Sequence, residues 1–224
     1  MAQWLSGKDQ RILDDCYDST ELLLTVPADA SGAYQDNVDI PSYKTNIVLL
    51  GDGSDLTFVT GNKSVGDGWT SFRSATLVPG EGYLARDVTI ENIAGPKKKQ
   101  AVAVRVNADL AAMYRDTIDA VMLQDCNIVS KMPLPGQFTV ITAQSRDSVD
   151  KETGIAMQNC SIFATEDLYT NSSRVKSYLV RPWNVYSRAV YLESYIDDFI
   201  TPEGSTKWTD HKGLNTLYYA EYEI

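Results

Sequence analysis

Four short stretches of the chain share one alternation of apolar and polar side chains. They are Ala85-Arg86-Asp87-Val88-Thr89-Ile90, Leu123-Gln124-Asp125-Cys126-Asn127-Ile128, Met157-Gln158-Asn159-Cys160-Ser161-Ile162 and a weaker copy, Leu192-Glu193-Ser194-Tyr195-Ile196. A period of two is that of a strand with one buried face. The copies begin 38, 34 and 35 positions apart, within the range of about 20–50 residues at which stacked architectures repeat. Turn formers lie between them, such as Ala94-Gly95-Pro96 and Pro133-Leu134-Pro135-Gly136. No amphipathic helical run of useful length separates the strands, which weakens a βαβ reading. Stacking one such strand per coil buries each apolar face against its neighbours, so the pattern predicts an all-β parallel solenoid. A β-sandwich is the alternative, but it does not require similar strands at similar spacing. In the solenoid Ala85, Leu123, Met157 and Leu192 are expected to stack in one inward column.

The same register puts Cys126 and Cys160 in one column of adjacent coils. Equivalent positions on neighbouring coils lie roughly 4.8 Å apart, within reach of a disulfide. Two buried thiols are the alternative; for a secreted protein the bridge is preferred, leaving Cys16 unpaired. Residues 1–22 carry charged clusters (Lys8-Asp9-Gln10-Arg11, Asp14-Asp15) and no copy of the repeat, and read as a tail or linker before a domain over 23–224.

Composition narrows the function. A net charge of −10 repels a phosphate backbone, so nucleic acid is not expected as a partner. The basic run Lys97-Lys98-Lys99 reads as a solvated turn. No apolar stretch is long enough to span a bilayer. Three cysteines without a CxxC pair suggest neither a disulfide-dense scaffold nor a metal site. The single histidine, His211, sits in a polar, loop-like context. With no GxSxG elbow, a serine esterase lacks support.

Several segments together resemble plant pectin methylesterases of the pollen and cell-wall type, some of which are allergens. They are Asn46-Ile47-Val48-Leu49-Leu50-Gly51-Asp52-Gly53, Asp67-Gly68-Trp69-Thr70-Ser71-Phe72-Arg73-Ser74-Ala75-Thr76 and Leu84-Ala85-Arg86-Asp87-Val88-Thr89-Ile90-Glu91-Asn92. Gln100-Ala101-Val102-Ala103-Val104-Arg105, Pro133-Leu134-Pro135-Gly136-Gln137, Leu179-Val180-Arg181-Pro182-Trp183 and Thr216-Leu217-Tyr218-Tyr219-Ala220-Glu221-Tyr222 follow in family order. The resemblance implies a single-stranded right-handed parallel β-helix of the pectin lyase-like kind. It implies removal of methyl esters from homogalacturonan by an aspartyl esterase that needs no metal or organic cofactor. It also implies a secreted, cell-wall protein, working as a monomer, with pectin as substrate and a proteinaceous inhibitor as a possible partner. Residues 1–22 resemble the linker that follows an inhibitor-like pro-region. The motifs are not those of a pectate lyase, whose fold would be the same.

In the family one aspartate attacks the ester carbonyl and a second protonates the departing methanol, then activates water. Glutamine amides hold the oxyanion, and an arginine keeps the nucleophile ionised and in place. Carried onto this chain, Gln100 matches the first oxyanion glutamine. Arg181 and Trp183 match the Leu-Gly-Arg-Pro-Trp motif, with Val180 in place of glycine. Ser71 stands where a substrate-contacting threonine is usual, and Tyr34 survives from a Gly-x-Tyr-x-Glu motif as part of Gly32, Tyr34 and Asp36. The two aspartates fall together in Tyr114-Arg115-Asp116-Thr117-Ile118-Asp119: Asp116 is the expected acid, Asp119 the expected nucleophile. Arg115 replaces the second oxyanion glutamine, and roughly one coil is missing between the motifs. A second shortening fuses two family segments within Ala30–Val38. A β-helix that binds pectin without turnover is therefore the alternative function. Asn62-Lys63-Ser64 and Asn171-Ser172-Ser173 are glycosylation sequons in polar segments. Asn159-Cys160-Ser161 fits the rule but falls in an expected core strand, so it is expected to stay bare.

Overall fold

The computed structural model describes residues 22–25, 32–35, 37–41, 43–106, 111–114, 122–151, 153–207 and 214–224. Asp116, Asp119, Asp36, Cys16, His211 and the tail through residue 21 lie outside them. The chain forms two compact units, Met1–Ile118 and Asp119–Ile224, and each is a stack of parallel strands.

In the first unit the strands are β1 (Leu22–Thr25), β2 (Gly32–Gln35), β3 (Val38–Asp39), β4 (Ile47–Leu50), β5 (Thr57–Gly61), β6 (Leu77–Val78), β7 (Leu84–Arg86), β8 (Thr89–Asn92) and β9 (Ala112–Tyr114). Each strand pairs in parallel with its equivalent one coil later: β1 with β4, β4 with β7 and β7 with β9 on one face, β2 with β5 and β5 with β8 on the next, β3 with β6 on the third. An isolated parallel bridge between Leu77 and Val104 continues the third face. Such three-faced coils are those of a parallel β-helix.

The second unit repeats the plan with β10 (Met122–Gln124), β11 (Asn127–Ser130), β12 (Thr139–Gln144), β13 (Ile155–Gln158), β14 (Ser161–Ala164), β15 (Ser177–Pro182), β16 (Arg188–Leu192), β17 (Tyr195–Ile196) and β18 (Tyr218–Tyr222). Here β10, β13, β16 and β18 stack on one face, β11, β14 and β17 on the second, β12 and β15 on the third. The one α-helix among the described residues, α1 (Glu166–Thr170), buries Leu168.

Each unit has an inward column, and the expected one needs two corrections. Ala85 pairs not with Leu123 but with Met113, below Leu49; all three are buried. The coil at Met113 escaped the repeat comparison because Ala112-Met113-Tyr114 lacks the polar-apolar continuation of the other copies. In the second unit Leu123 stacks on Met157, and Met157 on Tyr191, not on Leu192. Tyr191 is 2% exposed, and its hydroxyl donates to the Leu179 carbonyl at 2.9 Å. Leu192 is half-buried. The misalignment was by one residue, which in a strand turns a side chain to the other face.

The corner between first and second faces recurs as a left-handed residue: Asp87 (φ 59°), Asp125 (56°), Asn159 (51°) and Glu193 (49°). Asp and Asn enter this region more readily than most side chains, which is why the repeat carries them there. Asn159 thus occupies an exposed corner rather than a buried strand, and its amide donates to Asp125 Oδ1 at 2.6 Å. Burial therefore gives no reason for that sequon to stay bare.

Cys126 and Cys160 lie one residue before the Asn127–Ser161 pair of stacked β11 and β14, so the expected juxtaposition holds. The structure carries them as two buried thiols rather than a bridge. Hydrogen bonding from the Cys126 thiol pulls the Cys160 thiol below the usual cysteine range, with burial opposing it.

Candidate functional site

In the first unit the candidate residues sit on loops that leave the second face and return to the third. Asn92, at the end of β8, anchors these loops. Its amide nitrogen reaches the carbonyls of Lys63 (3.0 Å), Ser74 (3.0 Å) and Val102 (3.2 Å), and its Oδ1 accepts from Ala94 N–H at 3.0 Å. One side chain thereby pins three chain segments.

Gln100 is exposed and follows a 3-10 turn, Pro96–Lys98. Its carbonyl accepts the Val65 N–H at 2.9 Å. Ser71 opens a second 3-10 turn, Ser71–Arg73, capped by the Thr70 hydroxyl on Arg73 N–H at 3.2 Å. Buried Ser74 ties the two segments together: its hydroxyl donates to Ser71 O at 2.8 Å and accepts from Val102 N–H at 3.1 Å. Ser71 and Gln100 thus belong to one braced loop cluster. Tyr34 lies apart in β2, half-buried and paired with Val59 of β5.

Beside this cluster is a hollow of about 490 Å³ lined by Asn62, Lys63, Asp67, Trp69, Ile93, Ala94 and Lys98. Trp69 is 40% exposed, with the Lys63 ammonium 4.5 Å from its ring centre, a cation–π arrangement. Lys98 forms an ion pair with Asp67, so the lysine run is not simply solvated. Nearby, the Arg105 guanidinium stacks 3.6 Å from the Phe72 ring centre. Burial pulls its pKa below the ordinary arginine value, while Asp39 acts the other way. Sequence reasoning passed over Asp67 and Lys98, although Gly66, Gly68 and Gly95-Pro96 mark two tight turns.

In the second unit Arg181 and Trp183 stand at the end of β15. The Arg181 guanidinium lies 5.2 Å from the Phe138 ring centre, and Phe138 meets Tyr178 edge-on (5.7 Å, 87°). Burial disfavours the charged form of Arg181 and lowers its pKa. Trp183 is 46% exposed, and its backbone N–H donates to Gln144 O at 2.9 Å. Trp183, Phe138 and Tyr178 thus offer ring surfaces beside a cation. A smaller hollow of about 300 Å³, lined by Tyr178, Pro182, Glu203 and Tyr219 among others, adjoins them. Burial drives the Tyr219 hydroxyl pKa up. Asn62 is exposed; the half-buried Asn171 caps α1 and donates to Asp167 O at 2.8 Å. No cluster of three metal-ligating side chains occurs among the described residues.

Known proteins match along nearly the whole chain. The sequence model of the Pectinesterase family matches residues 18–121 and 118–224. A probable pectinesterase/pectinesterase inhibitor of Arabidopsis thaliana is 50% identical over 284 residues, covering 98% of this chain and 52% of the relative. A pectinesterase/pectinesterase inhibitor of Prunus persica is 41% identical over 224 residues, covering 85% and 43%. Among solved structures, pectin methylesterase from carrot superposes with a TM-score of 0.76 at 40% identity, covering 92% of this chain and 74% of that one. This chain spans about half the length of the curated relatives it matches. The match to the Arabidopsis relative extends over 284 residues although this chain has 224, so the relative carries internal residues that have no counterpart here. The family model matches in two segments that overlap at residues 118–121, next to the Asp116–Asp119 stretch where the sequence suggested a missing coil. With family-order matches across both units and a shared parallel β-helix, the chain belongs to the pectinesterase family.

Proposed function

We propose that the protein is a carboxylic ester hydrolase that removes methyl esters from homogalacturonan, giving pectate and methanol. The observation that carries this reading is the 50% identity to a plant pectinesterase relative across 98% of the chain. In the proposed reaction the Asp119 carboxylate attacks the ester carbonyl, and the Gln100 amide stabilises the resulting oxyanion. As the tetrahedral intermediate collapses, Asp116 gives its proton to the departing methoxide. An acyl-enzyme anhydride remains, and Asp116, now a carboxylate, takes a proton from water as that water attacks the acyl carbon; collapse of this second tetrahedral intermediate breaks the bond to Asp119, freeing its carboxylate and the galacturonic acid, which ionises to pectate. Arg181 holds the nucleophile ionised; Trp183, Ser71 and Tyr34 line the sugar chain's path. The reaction balances without metal or organic cofactor.

No helix among the described residues is long and apolar enough to cross a membrane. We assign the protein to the cell wall as a secreted monomer, with glycans at Asn62 and Asn171 and a Cys126–Cys160 bridge formed on oxidation. A proteinaceous inhibitor is a candidate partner. A second reading, pectin binding without turnover, draws on the family model matching in two separate segments that meet at 118–121, beside Asp116 and Asp119. Methanol release from methyl-esterified pectin, run beside equilibrium binding to the same polymer, separates the two. Binding with no methanol selects the second.

A further inference from the structure

Two turns of the first unit are locked face to face beside Gln100. One is the 3-10 turn Val65–Asp67, the other Pro96–Lys98. The Lys98 ammonium pairs with Asp67 Oδ1, while Asp67 Oδ2 accepts from the Ser64 hydroxyl at 2.8 Å. Fully buried Ser64 also accepts from Asp67 N–H at 3.2 Å, capping the first turn. The backbones approach so closely that a Cβ on Gly66 would lie 2.6 Å from the Lys98 carbonyl oxygen and 2.8 Å from Lys98 Cα. Val65 N–H closes the array by donating to Gln100 O at 2.9 Å.

Between the ion pair and Gln100 stands Lys99, at φ 65° and ψ −145°. Side chains are rarely found there; the region is essentially glycine's, and an outlier of this kind persists only where its surroundings over-determine it. Here Lys99 N–H donates to Pro96 O at 3.2 Å, Lys98 is tethered on one side and the Gln100 carbonyl on the other. An ordinary surface ion pair contributes little to stability. This one stands directly beside a backbone step in that sparsely populated region.

We propose that the Asp67–Lys98 pair, braced by Ser64, is a positioning clamp: it holds the strained Lys99 step and so fixes where the Gln100 amide stands. The catalytic consequence rests on the reading of Gln100 as the oxyanion donor. Donor placement matters because a misplacement of about 1 Å can reduce a rate by about 10²-fold. The clamp acts through Gln100 and contributes nothing once Gln100 is gone.

The test uses the full chain with Lys98→Met, Asp67→Asn and Lys98→Arg. Both side chains are partly exposed (50% and 31%), and slow amide exchange at buried Ile90 serves as the control for an intact fold. Exchange at the Val65 amide is expected to rise at least about tenfold in Lys98→Met and Asp67→Asn, and to be unchanged in Lys98→Arg. In methanol release, kcat is expected to fall about tenfold with KM unchanged. Lys98→Met added to Gln100→Ala is expected to give no further loss. Val65 exchange within twofold of the parent, or an equal loss of kcat with and without Gln100, overturns the proposal. If the unsubstituted chain releases no methanol, the esterase reading fails and Val65 exchange alone decides the clamp.

Discussion

Replacing Asn92 with alanine removes the anchor of the loop cluster in the first unit. The amide nitrogen has two protons for three carbonyls, those of Lys63, Ser74 and Val102, and its oxygen takes Ala94 N–H. Counting two donated bonds, one of them shared, and one accepted bond gives three net interactions. At about 1 kcal/mol each, the expected loss is about 3 kcal/mol, a large part of the ~5–15 kcal/mol that holds a domain folded. For a chain of this length that lowers Tm by roughly 6–12 °C. Urea unfolding followed by tryptophan fluorescence and by circular dichroism measures it, and agreement of the two probes checks that one transition is being read. Asn92→Asp sharpens the test. It keeps the acceptor for Ala94 but sets a carboxylate against three carbonyls, which favours its protonated form. Its penalty is therefore expected to be smaller at pH 4 than at pH 7. A loss under about 1 kcal/mol for Asn92→Ala would refute the bridging role.

Met157→Ala should cost about 2–5 kcal/mol, because Met157 is 0% exposed; half-buried Leu192→Ala should cost clearly less, and equal losses would argue against the Met157–Tyr191 register. Asp67 is held below the ordinary aspartate pKa chiefly by its hydrogen bond from Lys98, so its contribution is complete above the ordinary aspartate value and is lost as pH falls through the lowered one. Carboxyl chemical shifts should show the midpoint moving up in Lys98→Met; an unmoved midpoint would dissociate the pair. On air oxidation Cys126 and Cys160 should join, and peptide mapping without reductant that returns both as separate thiols would remove the bridge.

Much of the fold was legible because stacking imposes the same demand on every coil. An apolar residue must recur on the inner face, and a residue tolerant of φ > 0 must recur at the corner, as at Asp87, Asp125 and Asn159. Where a coil departs from that grammar, reading failed. Met113 was passed over because the sequence after its strand reads Arg115-Asp116 where the other copies have a polar-apolar pair, and Tyr191 was displaced because a tyrosine with a bonded hydroxyl can fill a core site that looked reserved for leucine. The candidate site was legible only as motifs. Gln100, Arg181 and Trp183 were found by resemblance, but the partners that set their positions were not. Asp67 lies 31 positions before Lys98, and Phe138 lies 43 before Arg181. Pairings of that kind are made by coil stacking, and no local pattern announces them.

The most direct test is methanol release from methyl-esterified pectin by the intact chain and by its Asp119→Ala and Gln100→Ala variants. The predicted result is slow release, lost in Asp119→Ala and reduced by about 10²–10³ in Gln100→Ala. Release that survives Asp119→Ala would contradict the assignment of the nucleophile. No release from a chain that still binds pectin would contradict the esterase itself.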